Sequence, residues 1–218
     1  HVRSRRQRQM CIRDSLSSML FMIDMYKQII NTHGVIMEFG VRWGRNLALF
    51  TALRGIFEPF NHNRKIIGFD TWEGFPSVHA KDGEADIIAK GSFNVTPKYE
   101  DYLEQIIKYH ESECPISHIQ KFELRKGDAI KQIDQYLEEN PHTIVAMAYF
   151  DFDIYEPTKE CLLKIKSRLT KGSVIGFDEL NVKNYPGEMK ALQEVFGLDK
   201  YKINRTPYSG AQSYIVID

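Results

Sequence analysis

Seven acids in this sequence fall at or just after the ends of short apolar runs: Glu38, Asp70, Asp128, Asp151, Asp153, Asp178 and Glu179. Gathered along one rim they repel each other, unless a cation or a polyhydroxyl ligand meets them. Each alone has a structural reading, because Asp often caps a following helix. For Asp128 or Asp153 singly that reading is as good as a functional one; for the set it is weaker. Asp151, Asp178 and Glu179 make the sharpest group. They end two neighbouring apolar runs and bring together hard oxygen ligands, as magnesium or a similar ion requires. Such an ion would hold an acceptor oxygen, lower its proton affinity and orient it. Helix capping and solvated acids are the plainer alternative.

Glu38-Phe-Gly40-Val-Arg-Trp-Gly44 follows a first apolar run. The first glycine lets backbone approach a bound ligand, and the second allows close helix packing. The pattern is not the GxGxxG of nicotinamide proteins. Glu38 would sit badly beside a pyrophosphate and well beside a cofactor with a cationic amino-acid end. Asp70 ends the second run, roughly twenty to thirty residues on, where an acid accepts hydrogen bonds from adenosine ribose hydroxyls. NAD and S-adenosylmethionine both meet that condition. Asp128, after Gly127, could face the adenine amino group.

The elements that must position these residues alternate. A helix follows the cap at Asp14, with Leu16, Met19, Leu20, Ile23, Tyr26 and Ile30 at helical spacing. Strands are predicted at 35–39, 65–70, 118–124, 143–150 and 173–177. Helices are predicted at 46–57, 98–111, 130–137, 157–169 and 187–196. Five such alternations predict an open parallel sheet with helices on both faces. Two closing strands, 201–206 and 213–218, are joined by a short turn, so one of them should be antiparallel. Residues 71–96 are rich in Gly, Pro, Asp and Lys, and a loop that long is more often functional than idle.

Lys+Arg and Asp+Glu balance at 29 each, which disfavours a nucleic-acid partner. No apolar run is long enough to span a bilayer, and no membrane partner is expected. The three cysteines show no metal spacing and read as free thiols in a reducing compartment, with the cytoplasm the default location. Residues 1–13, with five arginines, read as a disordered or non-native leader, and 14–218 as the domain.

The chain resembles the macrocin O-methyltransferase family. The matching segments are Met37-Glu-Phe-Gly-Val-Arg-Trp-Gly44, Gly68-Phe-Asp-Thr-Trp-Glu-Gly-Phe-Pro76, Tyr149-Phe-Asp-Phe-Asp-Ile-Tyr-Glu-Pro-Thr158 and Gly176-Phe-Asp-Glu179. The resemblance implies an α/β, Rossmann-like, doubly wound sheet of seven strands. It implies S-adenosylmethionine at Glu38, Gly40, Gly44, Asp70 and Asp128. It also implies a divalent metal at Asp151, Asp178 and Glu179, Asp151 as a candidate base, and a substrate lid at 71–96. The family commonly carries two aspartates where this chain has Asp178-Glu179. The acceptor would be a hydroxyl of a small molecule, foremost a sugar, and a homo-oligomer stays open. A metal-dependent glycosyltransferase using Asp151-Phe-Asp153 and a non-catalytic nucleotide-binding protein are the rival readings. Neither rival explains the Glu38–Gly44 motif together with intact acids at 151, 178 and 179. His79, inside the lid, is a second candidate base. Trp43 and Trp72 flank the cofactor motif, and Lys81 and Lys90 could meet an anionic acceptor.

Overall fold

The computed structural model describes residues 5–76, 79–83 and 90–218, with side chains from residue 12 onward. The chain runs α1 (Arg5–Ile29), β1 (Val35–Phe39), α2 (Arg45–Phe57), β2 (Ile66–Asp70), α3 (Tyr99–Ser112), β3 (Phe122–Lys126) and α4 (Ala129–Glu139). It continues through β4 (Val145–Phe150), α5 (Tyr155–Lys166), β5 (Leu169–Phe177), α6 (Gly187–Phe196), β6 (Asn204–Arg205) and β7 (Ser213–Val216). Seven strands form one sheet in the order β3-β2-β1-β4-β5-β7-β6. Only β7 runs against its neighbours: it pairs antiparallel with both β5 and β6.

The central strands are apolar on both faces because helices cover both. Every residue of β1 and β4 is buried. On one face α4, α5 and α6 bury Ile133, Tyr136, Leu162, Ile165, Leu192 and Phe196 against the sheet. On the other, α1, α2 and α3 contribute Phe21, Met25, Tyr26, Leu47, Phe50 and Ile107. Register aligns one aromatic per strand at the carboxyl ends. Phe69, Phe39, Phe150 and Phe177 stack in a ladder with centroid spacings of 4.9, 4.6 and 5.7 Å. Offset stacks of this kind add to plain area burial, and the ladder is a stiff floor beneath the strand ends.

The opposite, amino edge of the sheet is closed by buried ion pairs. Arg64 donates to Glu58 and to the carbonyls of Ile29, Thr32 and Gly34, so one guanidinium satisfies the open end of α1. Arg54 donates to Glu111 at 2.6 Å and to the Lys121 carbonyl at 2.7 Å, and Lys121 pairs with Glu111 at 2.6 Å.

Some boundaries depart from the sequence reading. The helix read from Asp14 begins earlier, at Arg5. Arg, Gln and Met are good helix formers, and composition alone does not stop the helix at Asp14. Residues 1–4 lie outside the described residues. Pro157 is the third residue of α5, where its missing N–H still has no intrahelical partner to lose. The strand read at 173–177 begins earlier, at Leu169, so Gly172 lies inside β5, and its N–H pairs with the Ile217 carbonyl at 2.7 Å. No described helix is long and apolar enough to cross a membrane.

Candidate active site

Strand order reverses between β1 and β4, and parallel sheets of this kind open for ligands at such a point. The turn leaving β1 depends on its glycines. Gly40 has φ +94°, and a Cβ there would stand 2.1 Å from the Asp151 carbonyl oxygen. Glycine thus lets the exits of β1 and β4 run side by side. Gly44, φ +73°, caps α2, and a Cβ on it would meet Leu103 of α3 at 2.2 Å.

Between the glycines, Arg42 also has a left-handed backbone, φ +49°, which is uncommon for a non-glycine residue. Two bonds hold it there. Its N–H donates to Asp70 Oδ2 at 2.7 Å, and its carbonyl accepts from Trp72 Nε1 at 3.0 Å. Asp70 Oδ1 also accepts the Trp72 N–H at 2.6 Å. Burial raises the pKa of Asp70 and outweighs these backbone donors.

A cavity of about 750 Å³, counting its open mouth, lies over the strand ends. Gly40, Asp70, Asp128 and Asp151 line it, so four of the residues expected to hold a cofactor or act on it converge there. Asp128 does two things: it walls the cavity, and its Oδ1 accepts the Ile130 N–H at 3.1 Å as the cap of α4. Gly74, Phe75, Pro76 and Phe93, all from the 71–96 segment, line the cavity as well. The segment folds back on itself through Phe75 N–H to the Ser92 carbonyl and Gly91 N–H to the Phe75 carbonyl.

Glu38 lines neither this cavity nor its neighbour. It is 1% exposed, and neither carboxylate oxygen has a hydrogen-bond donor. Burial, with Asp70 nearby, pushes its pKa up to about 8, against partial relief from Asn46 and Arg45.

A second, open cavity of about 1010 Å³ adjoins the first. Asp151, Asp153, Asp178 and Glu179 line it from the ends of β4 and β5, Arg42 and Trp43 from the turn after β1, and Arg45 from the first position of α2. Asp151, Asp153, Arg42 and Phe93 line both cavities, which therefore share a seam. Burial, then Asp178 and Asp153, raises Asp151 well above the ordinary carboxylate range. Burial and Asp178 lift Asp153 to about 6, while burial, Asp153 and Asp178 lift Glu179 to about 7. Among the described residues no three His, Cys, Asp or Glu side chains converge as a formed metal centre.

Three residues that hold this rim were not picked out from the sequence. Glu188, fully buried in the first turn of α6, accepts N–H groups from Phe152, Asp153 and Glu179 at 3.2–3.3 Å. One side chain thus ties the β4 exit to the β5 exit. Its signal was an acid in the first turn of a helix after Pro186-Gly187, which reads equally as a favourable dipole contact. Tyr149 and Gln212 both donate to Asp178 Oδ1, at 2.5 and 2.8 Å, and fix its orientation. Tyr149 opens one of the matching segments but reads there as a core strand residue, and Gln212 reads as a turn residue.

Other expectations are corrected. His79 lines neither cavity; its ring packs 5.2 Å from Tyr155 and its Nδ1 accepts the Lys81 N–H. A base role for it has no support. Lys81 is held by Glu194 and Tyr155. Trp72 is buried in the apolar cluster beneath α2 and α3, while Trp43, 47% exposed, faces the second cavity. Asp82, 1% exposed, accepts the N–H groups of His79 and Tyr155, both at 2.6 Å, and so caps α5 from across the molecule.

No protein-family model matches the chain, and no curated protein sequence matches it either. Solved structures do. CalS11, described as a calicheamicin methyltransferase, is 43% identical with a TM-score of 0.90, covering 92% of this chain and 79% of its own. An apo structure of CalS11, there called TDP-rhamnose 3'-O-methyltransferase, aligns at 40% identity and TM-score 0.80 over the same shares. The O-methyltransferase NovP shares the fold at TM-score 0.69 and 16% identity, over 92% of this chain and 79% of its own. With 43% identity over 92% of its length to a solved methyltransferase, the chain belongs to the macrocin-type O-methyltransferase family and is an S-adenosylmethionine-dependent methyltransferase.

Proposed function

We propose that this enzyme methylates a hydroxyl of a sugar, with Asp151 as the base and a divalent cation at the acidic rim. The observation that carries this reading is the seam: Asp151 and Asp153 face both the cavity at the switch point and the open cavity beside it. A donor in the first and an acceptor in the second would meet only there. Holding two reactants in line can supply roughly 7–11 kcal/mol of barrier reduction. CalS11's description as a TDP-rhamnose 3'-O-methyltransferase supports a sugar hydroxyl as the acceptor.

The residues present fit S-adenosylmethionine. Asp70 would accept the ribose hydroxyls and Asp128 the adenine amino group. Gly40 gives backbone access, Gly44 packs the following helix, and the orphaned Glu38 suits a cationic end group. When bound, the cofactor supplies a methyl group on a sulfonium, activated toward an oxygen nucleophile. The donor set is hard oxygen, which suits magnesium in kind, although these side chains do not converge as a formed centre among the described residues. Asp151, Asp178 and Glu179, joined by Asp153, would be the oxygen ligands; burial first, and then neighbouring acids, raise Asp151, Asp153 and Glu179. A cation there would lower the proton affinity of the acceptor oxygen.

The protein's own part is positioning and proton transfer. Asp151, at the seam of the two cavities, accepts the hydroxyl proton as the oxygen attacks. Glu188 holds the two strand exits together, and Tyr149 with Gln212 aims Asp178. The wall formed by Phe75, Pro76 and Phe93 keeps water off the seam.

Calorimetric titration with S-adenosylmethionine, S-adenosylhomocysteine, NAD and a nucleotide sugar, each with and without magnesium, tests the cofactor and metal assignments. Micromolar binding of the first two supports the site, and tighter binding with magnesium supports the cation. NAD binding in their place would overturn both.

A further inference from the structure

The 71–96 segment does two separate jobs. Its two limbs wall the switch-point cavity with Gly74, Phe75, Pro76 and Phe93. The limbs hold each other: the Phe75 and Gly91 N–H groups donate to the Ser92 and Phe75 carbonyls at 3.1 and 2.9 Å, and the Phe75 and Phe93 rings lie 5.2 Å apart. Between the limbs in sequence, residues 79–83 dock on α5 and α6. A Cβ on Gly83 would stand 3.1 Å from Pro186, and Lys190 Nζ donates to the Lys81 carbonyl at 3.1 Å.

The dock turns on one buried acid. α5 leaves its own amino end unfinished, because Ile154 stands at the cap position and has no side-chain acceptor. Asp82 supplies one from 73 positions away: its Oδ1 accepts the Tyr155 N–H at 2.6 Å. Its Oδ2 accepts the His79 N–H at 2.6 Å, and its own N–H donates to the His79 carbonyl at 2.9 Å. Asp82 is 1% exposed, and a buried carboxylate persists only where such bonds, the stronger charge-assisted kind, are made. The ion pair beside it, Lys81 with Glu194, is exposed at both ends and adds little.

The backbone that Asp82 holds leads directly into the site. Asp151, Phe152, Asp153 and Ile154, the turn between β4 and α5, line the same cavity as the two limbs. Within that turn Asp153 has a left-handed backbone, φ +61°, and such strain persists only where the surroundings over-determine it. Glu188 holds the Phe152 and Asp153 N–H groups from α6, and Asp82 holds that of Tyr155 from the segment. Resting on the S-adenosylmethionine site of the methyl-transfer reading, we infer that Asp82 is a positioning residue for the cofactor. Without lining the cavity, it clamps the segment that forms one part of the wall to the strand exit that forms another. Enclosing the cofactor and setting the Asp151–Asp153 turn are then coupled through one carboxylate.

Calorimetric titration with S-adenosylhomocysteine tests this without an acceptor. Asp82→Ala should weaken binding roughly tenfold to a hundredfold, the scale of a lost hydrogen bond to a charged group. Asp82→Asn keeps an acceptor oxygen for the Tyr155 N–H and should recover most of that loss. Two controls should hold the affinity within about twofold: Glu194→Gln, which breaks only the exposed pairs with Lys81 and Lys159, and Glu111→Gln, which weakens the fold from the amino edge. In the unaltered protein, S-adenosylhomocysteine should slow hydrogen exchange at the Tyr155 N–H by about tenfold, because coupling is reciprocal. Undiminished affinity in Asp82→Ala overturns the inference, as does exchange at Tyr155 indifferent to the ligand. An equal loss in either control also overturns it, since the effect would then not belong to Asp82. Failure of S-adenosylhomocysteine to bind the unaltered protein would count instead against the methyltransferase site, and the inference would fall with it.

Discussion

The two edges of the sheet handle buried charge in opposite ways. At the amino edge, Glu58 and Glu111 are matched by Arg64, Arg54 and Lys121. Burial pushes Glu58 up, yet hydrogen bonds from Arg64, Tyr26 and Asn61 outweigh it and hold its pKa below the ordinary value. At the carboxyl edge, Glu38, Asp151, Asp153, Glu179 and Glu188 are all raised, because burial and neighbouring acids act with little opposing charge. A protein completes its structural charges internally; where it leaves same-sign charges facing a cavity, the completing charge belongs to a ligand. The amino edge is finished by folding, and the carboxyl edge by binding.

Breaking the carboxyl edge should cost activity far more than stability. Asp151→Asn should lower methyl transfer roughly 10²–10⁴-fold, the usual span for losing a general base, while cofactor affinity by calorimetry stays within a few-fold. Undiminished turnover would remove Asp151 from the mechanism. Breaking the amino edge should do the reverse. Glu111→Gln leaves Arg54 and Lys121 buried without their carboxylate and should destabilise the fold by about 3–5 kcal/mol in urea unfolding. A loss under 1 kcal/mol would mean that water reaches this edge.

Asp70→Ala separates ligand binding from fold support. It should weaken S-adenosylmethionine by about tenfold or more, the scale of a lost hydrogen bond to a charged group, and unchanged affinity would undo the ribose assignment. Glu38→Gln gives the smallest effect and the sharpest contrast in pH. The folded pKa of about 8 lies above the ordinary 4.5. The folded state therefore binds the extra proton between these values, and stability falls as pH rises through that window. Removing the acid should raise Tm at pH 8 by roughly 2–4 °C, or about 1 kcal/mol for a chain this size, with the gain shrinking toward pH 5. Glu58, held below its ordinary value, carries the opposite sign: its contribution is present above pH 4.5 and fades as pH falls. A Glu38→Gln gain that is flat with pH would show that Glu38 is not the titrating group.

Alternation of apolar runs and amphipathic stretches made the parallel sheet legible, since period and run length are local properties. The acids at strand ends were legible for the same reason: once the strands are located, so are their ends. Asp70, Asp128 and Asp151 accordingly meet around one cavity with Gly40. Glu188 was not legible, because its work is to accept N–H groups from residues 35, 36 and 9 positions away. His79 misled by proximity in sequence, since lying in the 71–96 segment says nothing about which way a side chain faces.

The sequence by itself determined the α/β class, the glycines after the first strand and the resemblance to the macrocin O-methyltransferase family. These rest on short-range periodicity and contiguous motifs, which survive without a third dimension. Only the tertiary structure decided which acids are paired and which are left for a ligand. Charge compensation acts over a few ångströms of space, and the packed sheet brings Arg54 to Glu111 across 57 positions while setting Asp178 close enough to Asp151 to raise it.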